Sequence, residues 1–222
     1  MSNELDLKPV FDFLNGLQKN NNRIWFEKNR SDYENAKATF ESFVDELIVG
    51  FGKIEDLKGV TAKDCIMRIY RDVRFSKDKS PYRTNMGAMI ASGGKKSARL
   101  GYYLHLAPHN ESMMAGGLYQ AETGQLNKFR SAIDRNAQPF KAIINDKKFR
   151  QYFGTLDGEK LKTAPQGYDR DHPEIELLRL KQIVAIHHVS DEKVFSPRFS
   201  AHVLDTFTVM KPFLDYLNSV II

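Results

Sequence analysis

Residues 68–84 read RIYRDVRFSKDKSPYRT. Arg68, Arg71, Arg74, Lys77, Lys79 and Arg83 place six cations there against two acids, Asp72 and Asp78, a net charge of +4. Guanidinium groups make planar, bidentate contacts with carboxylates and phosphates, and ammonium groups act as point charges. A period of two predicts a strand from Cys65 to Phe75. Cys65, Met67, Ile69, Val73 and Phe75 then share one face, and Ile66, Arg68, Tyr70, Asp72 and Arg74 share the other. Arg71 breaks the alternation by falling on the apolar side. A guanidinium among apolar side chains requires a fixed anion. In a regular strand Asp72 points to the opposite face, so a carboxylate from elsewhere or a bound anion must serve. Asp72 is left to neutralise an arginine and Asp78 a lysine, and Tyr82 is placed to pack or to donate a hydrogen bond.

Three readings of this charge are open. The turn charges are solvated and the strand arginines pair with helix carboxylates, which makes the segment a brace. Or Arg68, Arg71, Asp72, Arg74, Lys77, Lys79, Tyr82 and Arg83 bind a small anion, with a phosphorylated ligand or an enzyme's substrate as the occupant. Or the segment meets the phosphates of a nucleic acid. The net charge of the chain is +5, so the remainder is almost neutral. A focused charge favours a local anion over a long polymer, which usually meets a basic stripe.

These residues need a scaffold, and the chain supplies one. Its 222 residues are 41% hydrophobic and 27% charged, an ordinary globular balance that excludes disordered and collagen-like classes. One α+β domain over 1–222 is expected, because no repeat or linker divides the chain. Apolar spacing predicts a helix opened by Pro9 and a longer one over 23–51, with a kink near 29–31. After the 65–75 strand and a turn at 76–81 come strands over 84–91, 101–108 and 113–120, an antiparallel meander. Helices follow from Thr123, Pro139 and Lys147, then a long loop over 154–173, a helix over 173–181, a strand over 182–190 and a terminal helix over 197–217. The predicted fold is α+β, an antiparallel sheet of about four to five strands flanked by N-terminal and C-terminal helices.

Other residues offer less. Cys65 is the one cysteine, so no intramolecular disulfide forms, and it reads as a core residue. The polar start, MSNELDLKPV, lacks the pattern of a signal peptide, and no apolar run reaches the roughly 18–20 residues of a membrane span. A cytoplasmic protein without membrane attachment is expected. Six histidines occur without zinc-site spacing, so no metal site is expected, and no cofactor is indicated. His187 and His188, adjacent on a strand, must point to opposite faces. Asp171 and His172, just before Pro173, read either as a helix cap or as an acid/base pair at a cleft edge. GGKKS (93–97) lacks the spacing of a phosphate loop.

The central motif resembles that of a bacterial family catalogued as domain of unknown function 2461. The similarity extends to Asn21-Asn22, Trp25 and Phe26, and to Gly101-Tyr102-Tyr103-Leu104, Gly116-Gly117-Leu118-Tyr119, Gly167-Tyr168, His172-Pro173 and Leu177-Leu178-Arg179 with Lys181. Ser80, Arg83 and Gln166 depart from the family's commoner residues; the first two keep the chemistry and the third removes a cation. The resemblance covers nearly the whole chain. It implies a single α+β domain and no particular activity.

Overall fold

A computed structural model describes residues 5–156 and 158–222. The first four residues of the polar start and Asp157 of the 154–173 loop lie outside the described residues. The helices are α1 (Lys8–Lys19), α2 (Arg23–Lys28), α3 (Arg30–Phe51), α4 (Ala62–Cys65), α5 (Thr123–Arg135), α6 (Gln138–Ile144), α7 (Lys147–Phe153), α8 (Ile175–Leu178), α9 (Asp191–Val194) and α10 (Phe199–Ile221). The strands are β1 (Met86–Ile90), β2 (Tyr102–Leu106), β3 (Ser112–Leu118) and β4 (Ile183–Val189). They form one antiparallel sheet in the order β1-β2-β3-β4, so the fold is α+β as expected.

The chain divides into two compact units. The first comprises Met1–Ser97, Tyr103–Met114 and His188–Asp205. Here α1 packs on α3, and Val10, Phe11, Phe13, Leu14 and Leu17 of α1 and Phe40, Phe43, Val44 and Leu47 of α3 are all buried. Burying side chains of this size contributes roughly 1.5–3 kcal/mol each. The helix expected over 23–51 is interrupted at Asn29, whose φ of −110° and ψ of 29° separate α2 from α3. Asn22 starts α2 by accepting a 3.0 Å hydrogen bond from the Trp25 amide. The predicted kink is therefore a boundary between two helices.

The second unit comprises Ala98–Tyr102, Ala115–His187 and Thr206–Ile222. Its core is aromatic: Phe149 lies 5.5 Å from Phe213 between ring centres, and Phe140 lies 5.2 Å from Phe129. Gly117 has φ of +126°, and a Cβ there would stand 2.1 Å from the Ile183 carbonyl oxygen. Only glycine permits β3 to approach the backbone of β4 so closely.

Two expectations are corrected. The strand over 65–75 does not form: Cys65 ends α4, and residues 66–71 make only scattered antiparallel pairing with 81–88. The helix over 173–181 contracts to the four residues of α8. Among the described residues, no helix is long and apolar enough to cross a membrane.

Candidate anion-binding groove at the basic hairpin

The hairpin pairs in two registers. Met67 N–H donates to the Gly87 carbonyl at 2.8 Å, and Arg83 N–H donates to the Ile69 carbonyl at 2.7 Å. Between these bonds Arg68 stands alone opposite Thr84, Asn85 and Met86. This is a bulge, and bulges re-aim side chains. It explains why no regular strand forms, and both Arg68 and Asn85 line one cavity of about 330 Å³. The hairpin closes with Arg71 N–H donating to the Pro81 carbonyl at 2.9 Å. Pro81 needs no partner for a missing N–H at this edge.

The hairpin is fastened to the helices by aromatic rings and one asparagine. Tyr82 is buried and stacks on Phe26 of α2, with ring centres 4.0 Å apart and planes 10° apart. Asn21 Nδ2 donates to the Tyr82 carbonyl at 2.9 Å, and Asn21 Oδ1 accepts from the Tyr82 N–H at 3.1 Å. Burial pushes the Tyr82 hydroxyl pKa up. Tyr82 is thus a packing residue, the first of the two roles expected for it.

Beyond Arg71 the loop carries its own ion pairs. Arg71 meets Asp78, donates to the Ser80 carbonyl at 3.1 Å and reaches the Ser76 hydroxyl at 3.4 Å. The carboxylate that Arg71 meets is therefore supplied by its own loop, by Asp78. Asp78 serves Arg71 and not a lysine. The Ser80 hydroxyl and N–H, and then Arg71, pull the Asp78 pKa down to about 2. Arg74 Nη2 donates to Asp72 at 2.6 Å, the arginine pairing expected for Asp72. Lys79 Nζ donates to the Val73 carbonyl at 3.0 Å. No helix carboxylate pairs with these arginines among the described residues: Glu34 pairs with Arg30, Glu41 with Lys37, and Asp45 accepts from the Ala62 N–H.

Arg68, Lys77 and Arg83 remain. Among the described residues their side chains make no hydrogen bond or ion pair, although Asp72 feels the charge of Arg68 and Tyr103 that of Arg83. Of the three, Arg68 lines the groove. Its walls are Tyr33 and Phe40 of α3, Ile66, Met67, Ile69, Tyr70 and Met86. Lys37, Lys63 and Lys95 join Arg68 there, against Glu41 as the single acid. The Lys37–Glu41 pair spans 3.7 Å, and Lys95 Nζ donates to the Lys63 carbonyl at 2.7 Å. A second cavity in this unit, about 320 Å³, is lined by Asp6 and Glu46 and by no basic residue.

Sequence reading missed Lys37, Lys63 and Lys95. Lys37 had a signal, since it stands one helical turn from both Tyr33 and Glu41. Lys95 had none. It belongs to the GGKKS segment, which forms a short 3-10 turn instead of a phosphate loop, and the turn sits against α4.

The family model described as "Conserved hypothetical protein (DUF2461)" matches residues 9–216. The chain belongs to this family. No curated protein and no solved structure matches it.

In this DUF2461 chain, two of the segments that suggested the family, the one from Asn21 to Phe26 and the central motif, meet in the first unit: Asn21 holds Tyr82, and Phe26 stacks on it. Asp171 and His172 belong to the second unit. His172 Nδ1 accepts from the Glu174 N–H at 3.0 Å, and Nε2 lies 3.1 Å from Asp134 Oδ1. The first contact leaves the proton on Nε2, which donates to Asp134. His172 thus braces the turn that leads into α8, whose N-cap, Glu174, makes no side-chain cap hydrogen bond, and Asp171 is exposed without a hydrogen bond among the described residues. His105 Nδ1 lies 3.3 Å from the Tyr103 hydroxyl, and burial lowers the His105 pKa. His187 Nδ1 donates to the Tyr152 carbonyl at 2.7 Å. Among the described residues no group of three or more His, Cys, Asp or Glu side chains is placed to hold a metal.

Proposed function

We propose that this protein binds a small anionic ligand with an apolar body. The apolar part fills the groove between α3 and the hairpin, and the anionic group, a phosphate or a carboxylate, meets Arg68. One observation carries this reading: a guanidinium with no side-chain partner among the described residues, beside a backbone bulge, lines a cavity of about 330 Å³ that joins an apolar and aromatic wall to three lysines and a single acid. That volume lies within the usual range for small-molecule sites, about 300–1,000 Å³. Lys63 and Lys95 raise the local positive potential. Arg71, Asp72, Arg74, Lys79 and Tyr82 hold the loop and are not counted among the ligand's contacts. The single buried cysteine supports a cytoplasmic location. We treat residues 1–222 as one folding domain, because β2, β3, β4 and α10 each contribute residues to both units.

A thermal-shift series tests the binding. The probes are inorganic phosphate, alkyl phosphates, aromatic carboxylates, phosphosugars and mononucleotides, each against wild type and Arg68→Ala. A probe with both an apolar body and an anionic head should raise the melting temperature by roughly 5–10 °C at a hundredfold excess over its Kd. Inorganic phosphate alone should do much less, and Arg68→Ala should lose the shift while keeping the unliganded melting temperature. An equal shift in wild type and Arg68→Ala, or none with any probe, rejects the proposal.

A further inference from the structure

Phe75 is 97% exposed, the most exposed large apolar side chain described in this protein. The 65–75 strand would have buried it, but pairing ends at the Arg71–Pro81 bond, and Phe75 stands on the loop beyond. That loop is not slack. Arg71, Asp78, Ser80, Lys79 and Val73 are tied to one another by side-chain hydrogen bonds and an ion pair. Arg74, held by Asp72, places its guanidinium 5.9 Å from the Phe75 ring centre. Lys77, two residues on, is exposed and makes no hydrogen bond or ion pair among the described residues. Phe75 is absent from the walls of the groove, so this is a separate feature of the hairpin.

A hydrogen-bonded loop presenting one aromatic ring between an ion-paired arginine and an unpaired lysine has a recognisable complement. Base–aromatic stacking contributes about 1–3 kcal/mol per base, and nearby cations take the flanking phosphates. A lipid surface fits less well. Membrane attachment scales with the apolar area inserted, and Ser76, Lys77, Asp78, Lys79 and Ser80 add only polar side chains beside the ring. A π-face with polar neighbours matches a base, which has an apolar face and hydrogen-bonding edges. We infer that Phe75 is a stacking platform for an unpaired base of single-stranded nucleic acid, with Lys77 and Arg74 facing the adjacent phosphates. The footprint is short, two or three nucleotides, which accords with a focused charge.

The test is fluorescence anisotropy of short labelled oligothymidylate and oligouridylate with the full chain, at low and moderate salt. Wild type should bind at low salt, with a log–log salt slope of about −1.4 for two phosphates. Phe75→Ala should weaken binding about tenfold or more with an unchanged melting temperature, since the side chain touches little. Phe75→Trp should keep the affinity and show quenched tryptophan emission on binding. Duplex DNA of equal length should bind more weakly, because its bases are already stacked. Arg68→Ala should bind the oligonucleotides like wild type, which separates this surface from the groove. No binding at low salt, or equal affinity in Phe75→Ala, overturns the inference. So does Phe75-dependent cosedimentation with phosphatidylserine vesicles when the oligonucleotides fail to bind.

Discussion

Asn21 binds the backbone of Tyr82 at both ends, with its amide nitrogen on the Tyr82 carbonyl at 2.9 Å and its oxygen on the Tyr82 N–H at 3.1 Å. One side chain reproduces the two bonds that a neighbouring strand would make. It does so across 61 residues of sequence, at the point where the hairpin leaves the aromatic cluster of Phe26, Tyr70 and Tyr82.

Asn21→Ala removes both bonds and leaves a partly buried N–H and carbonyl without partners. The expected loss of stability is about 1–3 kcal/mol. Urea unfolding should show it as a lower midpoint. Amide exchange at Arg71 and Arg83, whose N–H groups bond to Pro81 and Ile69, should accelerate as well. An unchanged midpoint would show that ring stacking alone holds the hairpin.

The loop should loosen in acid. The Asp78 pKa is depressed from the ordinary 3.8 to about 2. A depressed carboxylate stabilises the folded loop above its unfolded pKa and loses that contribution as pH falls from 3.8 toward 2. Backbone NMR of Val73 to Ser80 should follow a titration in that window. Asp78→Asn should abolish the titration and show the loosened spectrum at neutral pH.

Cys65 should be inert in the native state. Burial pushes its thiol from 9.0 up to about 11, and the residue is buried. A thiol-specific chromogenic reagent at mildly alkaline pH should react only as fast as the chain opens, and should count one thiol in concentrated guanidinium. The raised pKa also adds stability that is complete below pH 9.0 and is lost as pH rises through about 11.

Arg130 has no counterpart among the candidate site residues. It is buried on the inner face of α5, where Nε donates to the Leu178 carbonyl at 2.8 Å and Nη2 to the Leu180 carbonyl at 3.3 Å. Desolvation lowers its pKa, and no carboxylate pairs with it among the described residues. Arg130→Met should cost about 2–3 kcal/mol by leaving both carbonyls unsatisfied, measured by chemical denaturation. Arg130→Lys should recover only part, because one ammonium cannot reproduce the fork.

Gly117→Ala should be more damaging than an average core substitution. It combines a φ of +126° with a Cβ 2.1 Å from the Ile183 oxygen. Strain of about 1–3 kcal/mol adds to a clash with backbone that has no rotamer to change. Loss of the cooperative thermal transition, or a melting temperature lowered by several degrees, is the expected readout.

The sequence by itself determined the class of fold and most of its pieces. Strands at 84–91, 101–108, 113–120 and 182–190 were legible from local signals: alternation at 101–108, an apolar and β-branched run at 182–190, and turn residues between the others. β1 to β4 lie inside those ranges. The helix starts at Pro9 and Asn22 were legible as a first-turn proline and a capping asparagine, which are local signals too. The basic segment was legible as composition, and the need of Arg71 for an anion followed from its place among apolar residues. The tertiary structure decided which anion it meets, where the strand ends and which cation stays free. Asp78 reaches Arg71 only because the loop curls back, a path set by hydrogen bonds to Ser80 and Val73. Arg68 lines a cavity only because a one-against-three bulge forms opposite Asn85. Phe75 is exposed only because pairing stops four residues earlier. Each of these outcomes depends on backbone bonds between distant residues, and side-chain periodicity carries no record of them.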